Sequence, residues 1–227
     1  MGYGQVGQAL GKIIGPHLYY DSNWRSITKE KVSVLHICYP FSKNFVQSVR
    51  KYIDIFNPEL TIIHSTVAVG TTRKIDRKCV YSFVRGRHPD LTEMVRFTKH
   101  LGCTDKHRLA LADEYLQKKG FATQLHDKPE TVELGKLFDT TYYGVCIALT
   151  KEAKKWADHY AIDYNEIQKI NITYNCGWQR CGHPEFVRPV LTPMPGKIGG
   201  HCVVPNAKIL QKDFPDSKLI KSIIESE

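Results

Sequence analysis

The sequence predicts an α/β fold: a Rossmann-like parallel sheet with helices on both faces, followed by a helical domain built on one long central helix. Three observations predict it. Short apolar runs alternate with helix-period segments through the first half of the chain. A Gly-x-Gly-x-x-Gly motif, Gly2-Tyr3-Gly4-Gln5-Val6-Gly7, stands at the head of the first helical segment. From Thr131 to Tyr160, Leu134, Phe138, Tyr142, Val145, Leu149, Trp156 and Tyr160 recur at three-to-four-residue steps, the period of one helix face. These place a sheet domain at 1–125 and a helical domain at 126–227.

In chain order, the glycine motif opens a helix through Ile14, which Pro16 ends. His17-Leu18-Tyr19-Tyr20 reads as a strand closing on Asp21, and Val32 to Tyr39 as a second, buried strand. Asn44 to Phe56 has helical spacing, with Phe45, Val49, Ile53 and Phe56 on one side, and Asn57-Pro58 breaks it. Leu60 to His64 is the next strand, and Val80 to Phe83 another. Met94 to Leu101 and Asp113 to Lys119 are expected as helices around a short apolar run, Leu109-Ala110-Leu111. After the long helix, Asp163 to Tyr174 reads as a further helix. Asn175 to Pro205, rich in Gly, Pro, Cys and His, reads as ordered loop.

The composition, 42% hydrophobic and 24% charged, is enough to bury a core and argues against extended disorder. No stretch of about 18 apolar residues appears, so no membrane span is expected, and the N-terminus has no signal-peptide pattern. Seven scattered cysteines, an odd count, read as reduced thiols in a cytoplasmic protein rather than a disulfide framework. The net charge of +9 is spread along the chain. It suits the attraction of anionic nucleotides or sugars, and no recognition motif supports nucleic-acid binding.

In the glycine motif, Gly2 permits a tight turn, Gly4 lets backbone approach a pyrophosphate, and Gly7 lets helix pack on strand. The backbone of Gly2, Gly4, Gln5, Val6 and Gly7 then offers free N–H groups and a positive dipole end to phosphates. Asp21 is placed to accept hydrogen bonds from an adenosine ribose, which favours NAD over NADP. Only Met1 lies before Gly2, so the strand that ordinarily precedes such a loop is missing. The bland alternative is a glycine-rich N-terminal cap with no ligand.

Further segments resemble the UDP-glucose/GDP-mannose dehydrogenase family, in the same order along the chain. Ile62 through Thr72, with Ser65-Thr66-Val67 and Gly70-Thr71, resembles that family's Ser-Thr-Val-x-x-Gly-Thr segment. Glu133-Leu134-Gly135-Lys136, followed by Glu152, resembles its long central helix. Gly199-Gly200-His201-Cys202 resembles the segment that carries its nucleophilic cysteine. The resemblance implies an NAD domain, a helical domain, and a homodimer made through the long helix. It implies Ser65 and Thr66 at the cofactor, with Thr66 also near the substrate. Lys136 would stabilise oxyanions or activate water, and Cys202 would attack an aldehyde. The chain also departs from the family. Thr140 replaces an Asn on the central helix, and Asn206 replaces an Asp after the cysteine. Phe83-Val84-Arg85-Gly86-Arg87-His88-Pro89 stands where the family has carboxylates. About 25 residues follow Cys202, too few for the family's C-terminal sugar-nucleotide domain.

Read for chemistry, a Cys202 thiolate can add to an aldehyde, giving a thiohemiacetal that yields hydride and leaves a thioester for water. His201 and Lys197 are close in sequence and could stabilise that anion. The plain alternative is an ordinary buried cysteine. Lys136, Thr140 and Tyr143 share a polar face of the long helix, where the lysine could orient a substrate oxygen or act as acid and base; otherwise it is a surface lysine. Arg85, Arg87 and His88 form a cationic cluster suited to a substrate carboxylate or phosphate, and with Thr140 and Asn206 make the substrate-binding set. Arg188 is a weaker candidate for the same role. Cys176, Cys181, His183, His201 and Cys202 raise zinc, but the spacing matches no standard pair of chelating turns, and no metal is expected.

The expectation is therefore an NAD-dependent oxidoreductase working on an alcohol or aldehyde of an anionic small molecule, with Cys202 and Lys136 in a cleft between the two parts. The alternative is a catalytically degenerate NAD-binding sensor or scaffold.

Overall fold

The computed structural model describes residues 1–21, 32–88, 90–200 and 202–226. It divides into two compact units, Met1–Lys136 and Leu137–Glu227.

The first unit is a five-stranded sheet in the order β1 (Val34–Ile37), β2 (Leu60–Ile63), β3 (Val80–Tyr81), β4 (Lys99–Gly102), β5 (Thr123–His126). β1, β2 and β3 run parallel, as do β4 and β5; β3 and β4 are antiparallel, so the sheet is mostly parallel, as expected, with one antiparallel junction. β2 is buried at all four positions, which is why it reads as an uninterrupted Leu-Thr-Ile-Ile run. Alternate side chains feed two cores. Leu60, Ile62, Val80 and Leu101 pack with Leu10 of α1 (Gln5–Ile14) and with Leu109 and Leu116, while Leu35, Ile37, Ile63 and Tyr81 pack with Phe45 and Val49 of α2 (Phe45–Phe56). The short α3 (Thr71–Ile75) follows β2 and adds Ile75 to the second core. Asn57, in the left-handed region at φ 40°, ends α2.

Several sequence expectations need correction. His17 to Tyr20 is not a strand. Only Tyr20 forms a bridge, its carbonyl accepting from Gly2 N at 2.8 Å. Met1 takes one ladder position on β1: its ammonium donates to the His36 carbonyl at 2.7 Å, and Cys38 N donates to the Met1 carbonyl at 2.8 Å. Met94 to Leu101 is not a helix either. A 3₁₀ turn covers Thr92–Arg96, and Lys99–Gly102 is β4. The helix expected from Asp113 starts earlier, as α4 (Lys106–Lys118), because the Asp105 side chain accepts from Arg108 N and caps it. The run Leu109-Ala110-Leu111 lies inside that helix.

The boundary between the units falls within α5 (Pro129–His159). The second unit adds α6 (Tyr164–Arg180), α7 (Val203–Gln211) and α8 (Lys218–Ile224). α6 runs past the expected Tyr174, started by an Asp163 cap that accepts from Asn165 N. Residues 175–205, read as loop, thus contain the last turns of α6 and the start of α7. Gly144 is where α5 meets the last helices: a Cβ there would come within 2.7 Å of Val203 and 3.0 Å of Ile223. Leu134, Phe138, Tyr142, Leu149, Trp156 and Tyr160, the stripe that betrayed α5 in the sequence, are exposed.

Candidate functional site

The glycine loop is built as the motif requires. Gly2 has φ +83°, and a Cβ there would meet Tyr39 N at 2.7 Å. A Cβ on Gly7 would lie 2.1 Å from the Gly2 carbonyl oxygen, so the helix can close on the loop only with glycine. At Gly4, by contrast, a Cβ meets nothing within 4 Å. Gly4 is the N-cap of α1, no side chain caps it, and no acid lies in its first turn. The loop therefore leaves space, backbone N–H groups at Gln5, Val6 and Gly7, and a positive dipole end at one point. Asp21 lies against it, its carboxylate accepting from Tyr3 N at 2.6 Å. This fits the pyrophosphate and ribose of a dinucleotide.

Past β2, Ser65 is fixed by donating to the Tyr39 carbonyl at 2.6 Å, and Thr66 follows it half-buried. The end of β3 gathers the cations. Lys136 donates to the Val84 carbonyl at 3.1 Å and sits 5.3 Å from the centre of the Phe83 ring. The Arg85 guanidinium lies 5.0 Å from the same ring. His88 Nδ1 is 2.5 Å from Gln5 Oε1, which ties this loop to the start of α1. Arg87 is exposed. Lys136, Arg85 and His88 are thereby brought to the glycine-loop end of the first unit. Glu133, one turn before Lys136 and fully buried, accepts from Gly70 N at 2.5 Å and Thr72 N at 2.8 Å, fixing the start of α3. Burial nonetheless raises its carboxyl above the usual range, against the lowering by Thr72 and Gly70.

Sequence reasoning missed a buried polar chain beneath this strip. Lys99, on β4, donates to the carbonyls of Phe83 at 2.8 Å and Ser82 at 3.1 Å, and its Nζ lies 3.3 Å from His64 Nδ1. His64 Nε2 is 2.9 Å from His36 Nδ1, and His36 Nε2 is 3.0 Å from the Tyr115 hydroxyl. Burial pulls Lys99 down to about 7; Cys38 raises it and Lys136 lowers it further. Burial likewise lowers His36 to about 3, with smaller contributions from the Met1 ammonium, Lys99 and His17. The available signal was the placement of His36, His64 and Lys99 in or beside runs otherwise apolar.

In the second unit, Cys202 is the N-cap residue of α7 and half-buried. Its carbonyl accepts from Asn206 N at 3.0 Å. Asn206, 5% exposed, donates from Nδ2 to Thr140 Oγ1 at 3.2 Å, and Thr140 donates to the Leu137 carbonyl. The two departures from the family pattern thus meet each other as a neutral pair, one turn from Cys202. Lys197 is exposed, and His201 lies outside the described residues. Arg188 stacks on Tyr174 at 3.9 Å from the ring centre and closes a two-bond pairing with the Asn175 amide. Among the described residues no group of three or more His, Cys, Asp or Glu is gathered as for a metal ion.

The sheet order, the glycine loop at the head of α1 and the helical second unit define a Rossmann-type dehydrogenase fold. A solved structure of UDP-D-ManNAc dehydrogenase from Pyrococcus horikoshii superposes with a TM-score of 0.71 over 85% of this chain and 49% of that one, at 22% identity. Mycobacterium tuberculosis 3-hydroxyisobutyrate dehydrogenase gives a TM-score of 0.62 over 85% and 72%, at 14% identity. In sequence, the UDP-N-acetyl-D-mannosamine dehydrogenase of Methanocaldococcus jannaschii is 26% identical over 222 residues, 86% of this chain and 48% of the relative. No protein-family model matches. The resemblance to the UDP-glucose/GDP-mannose dehydrogenases therefore holds over most of the chain, which spans about half the length of the curated relatives it matches.

Proposed function

We propose that the chain is an NAD-dependent oxidoreductase acting on an alcohol or aldehyde group of an anionic small molecule. The observation that carries this reading is the glycine loop, with its uncapped helix end and the open space at Gly4. When bound, NAD supplies the hydride acceptor. The backbone at Gln5, Val6 and Gly7 holds its pyrophosphate, Asp21 receives its ribose hydroxyls, and Ser65 and Thr66 border its reactive end. Arg85, Arg87 and His88 bind the anionic group of the substrate. Lys136 orients a substrate oxygen and holds a proton at Nζ. In the second unit Cys202 adds to an aldehyde carbon, while Thr140 and Asn206 hydrogen-bond substrate hydroxyls. With a neutral amide at 206, one two-electron oxidation is expected rather than two. Cys202→Ala should abolish aldehyde turnover while NAD affinity stays within about twofold; full activity in that variant would remove Cys202 from the mechanism.

A second reading, a sensor or scaffold that binds NAD without turnover, is favoured by the neutral Thr140–Asn206 pair and by cations where the family has carboxylates. NAD binding with no turnover across a panel of anionic alcohols and aldehydes would select it. In either case we place the protein in the cytoplasm, its seven cysteines being free thiols. No helix among the described residues is long and apolar enough to cross a membrane. We further propose a homodimer through α5. Its exposed stripe, Leu134, Phe138, Tyr142, Leu149, Trp156 and Tyr160, is a contiguous apolar face suited to a second copy of itself.

A further inference from the structure

We infer that Lys99, His64, His36 and Tyr115 form a proton wire connecting the end of β3 to a cavity beneath the glycine loop. Four groups, on β4, just past β2, on β1 and on α4, stand in unbroken hydrogen-bond contact, at 3.3, 2.9 and 3.0 Å from Lys99 outward. The outer end is open: His36 and Tyr115 both line a cavity of 520 Å³ that is also bordered by Gly2, Leu10 and Val34. The inner end is closed, Lys99 being 3% exposed.

The contacts admit two proton arrangements. In one, Lys99 is an amine and every ring donates inward. Tyr115 O–H donates to His36 Nε2, His36 Nδ1–H to His64 Nε2, and His64 Nδ1–H to the Ser82 carbonyl, 2.8 Å away. In the other, Lys99 is an ammonium, the chain is reversed, and the His64 Nδ1–Ser82 hydrogen bond is given up, because Nδ1 then accepts. Lys99 donates to His64 Nδ1, His64 Nε2–H to His36 Nδ1, and His36 Nε2–H to the Tyr115 oxygen. Passing from the second to the first moves one proton at each contact. The ammonium proton goes to His64 Nδ1, the Nε2 proton of His64 goes to His36, and that of His36 goes to the Tyr115 oxygen. The original phenolic proton then leaves to water in the cavity. No electrons move, and both imidazoles begin and end neutral.

The neutrality is what burial enforces. His64 is held well below its ordinary value, chiefly by burial, and His36 down to about 3. Lys99 is flanked by Cys38 and Lys136, and His36 by the Met1 ammonium, Lys99 and His17; none of these places a carboxylate on the wire. Among the described residues no acid therefore pins Lys99 as a permanent cation, and its value of about 7 lets it exchange a proton near neutrality. Lys99 and Lys136 hold adjacent carbonyls, Phe83 and Val84. The wire's service to the Lys136 strip is electrostatic: a proton leaving Lys99 removes a positive charge that acts on Lys136. That service rests on the oxidoreductase reading above, whereas the wire does not.

The test is nitrogen NMR of the full chain labelled at histidine ring nitrogens and at lysine Nζ, followed from pH 6 to 8. His36 and His64 should switch together from Nε2–H to Nδ1–H as Lys99 loses its proton. Lys99→Met should abolish the switch and leave both rings as Nδ1–H throughout. Tyr115→Phe, a mild change that removes only the hydroxyl, should slow exchange of the His64 ring proton with water at least tenfold. Rings that hold one tautomer through the Lys99 titration, or an exchange rate unchanged in Tyr115→Phe, would overturn the wire. Either failure leaves NAD binding untouched, so the two proposals fall separately.

Discussion

At the scale of single residues, the glycine loop separates space from function. Gly7→Ala drives a methyl into backbone, and should cost about 2 kcal/mol or more of stability in denaturant titration. Gly4→Ala meets nothing and should fold like the parent while losing nucleotide affinity. Lys99 carries the opposite signature. Its folded value of about 7 lies below its ordinary 10.5, so between these the unfolded chain binds one more proton than the native one. Its contribution to stability therefore rises as pH rises from 7 to 10.5, by roughly 5 kcal/mol if the full shift is realised. Urea midpoints should show that rise in the parent and a flatter profile in Lys99→Met. The same logic makes the protein acid-sensitive. His36, at about 3, binds no proton in the native state where the unfolded chain does, so stability should fall as pH drops from 6.5 toward 3.

At the scale of elements, the sequence made α1, α2, β2 and α5 legible, each for a physical reason. Glycines and Pro16 bracket α1, Asn57-Pro58 stops α2, β2 is apolar because both its faces are covered, and α5 keeps its period for 31 residues. β4 and β5 were not legible. β5 is Thr-Gln-Leu-His, with Gln124 and Leu125 exposed, so no alternation marks it, and β4 is defined by pairing with it. The Lys99 chain was invisible because its members are separated by 28 to 79 residues in sequence. The Thr140–Asn206 contact is hidden likewise, 66 residues apart in sequence. α5 also carries two testable contacts. Glu133→Gln puts an amide donor among the backbone N–H groups of Gly70 and Thr72, and should destabilise the first unit by about 1–3 kcal/mol. Gly144→Ala forces a methyl against Val203 and Ile223 and should loosen α7 and α8, read as faster amide exchange in those helices.

At the scale of the whole molecule, an apolar stripe that serves a core in most helices here faces outward over much of α5, with Phe138 63% and Tyr160 71% exposed. Sedimentation should report a dimer for the parent and a monomer for Phe138→Asp combined with Tyr142→Asp, both folded. The net charge of +9 should make binding of anionic ligands weaken as salt rises. The proposed nucleotide-binding end is measured most directly by calorimetric titration of NAD into the parent chain and into Gly4→Val. Gly4 has φ −71°, so valine there strains no backbone and only fills the space. Saturable binding in the parent, lost in a variant with unchanged circular dichroism, is the expected result. No binding in the parent, or equal binding in both, would contradict the account.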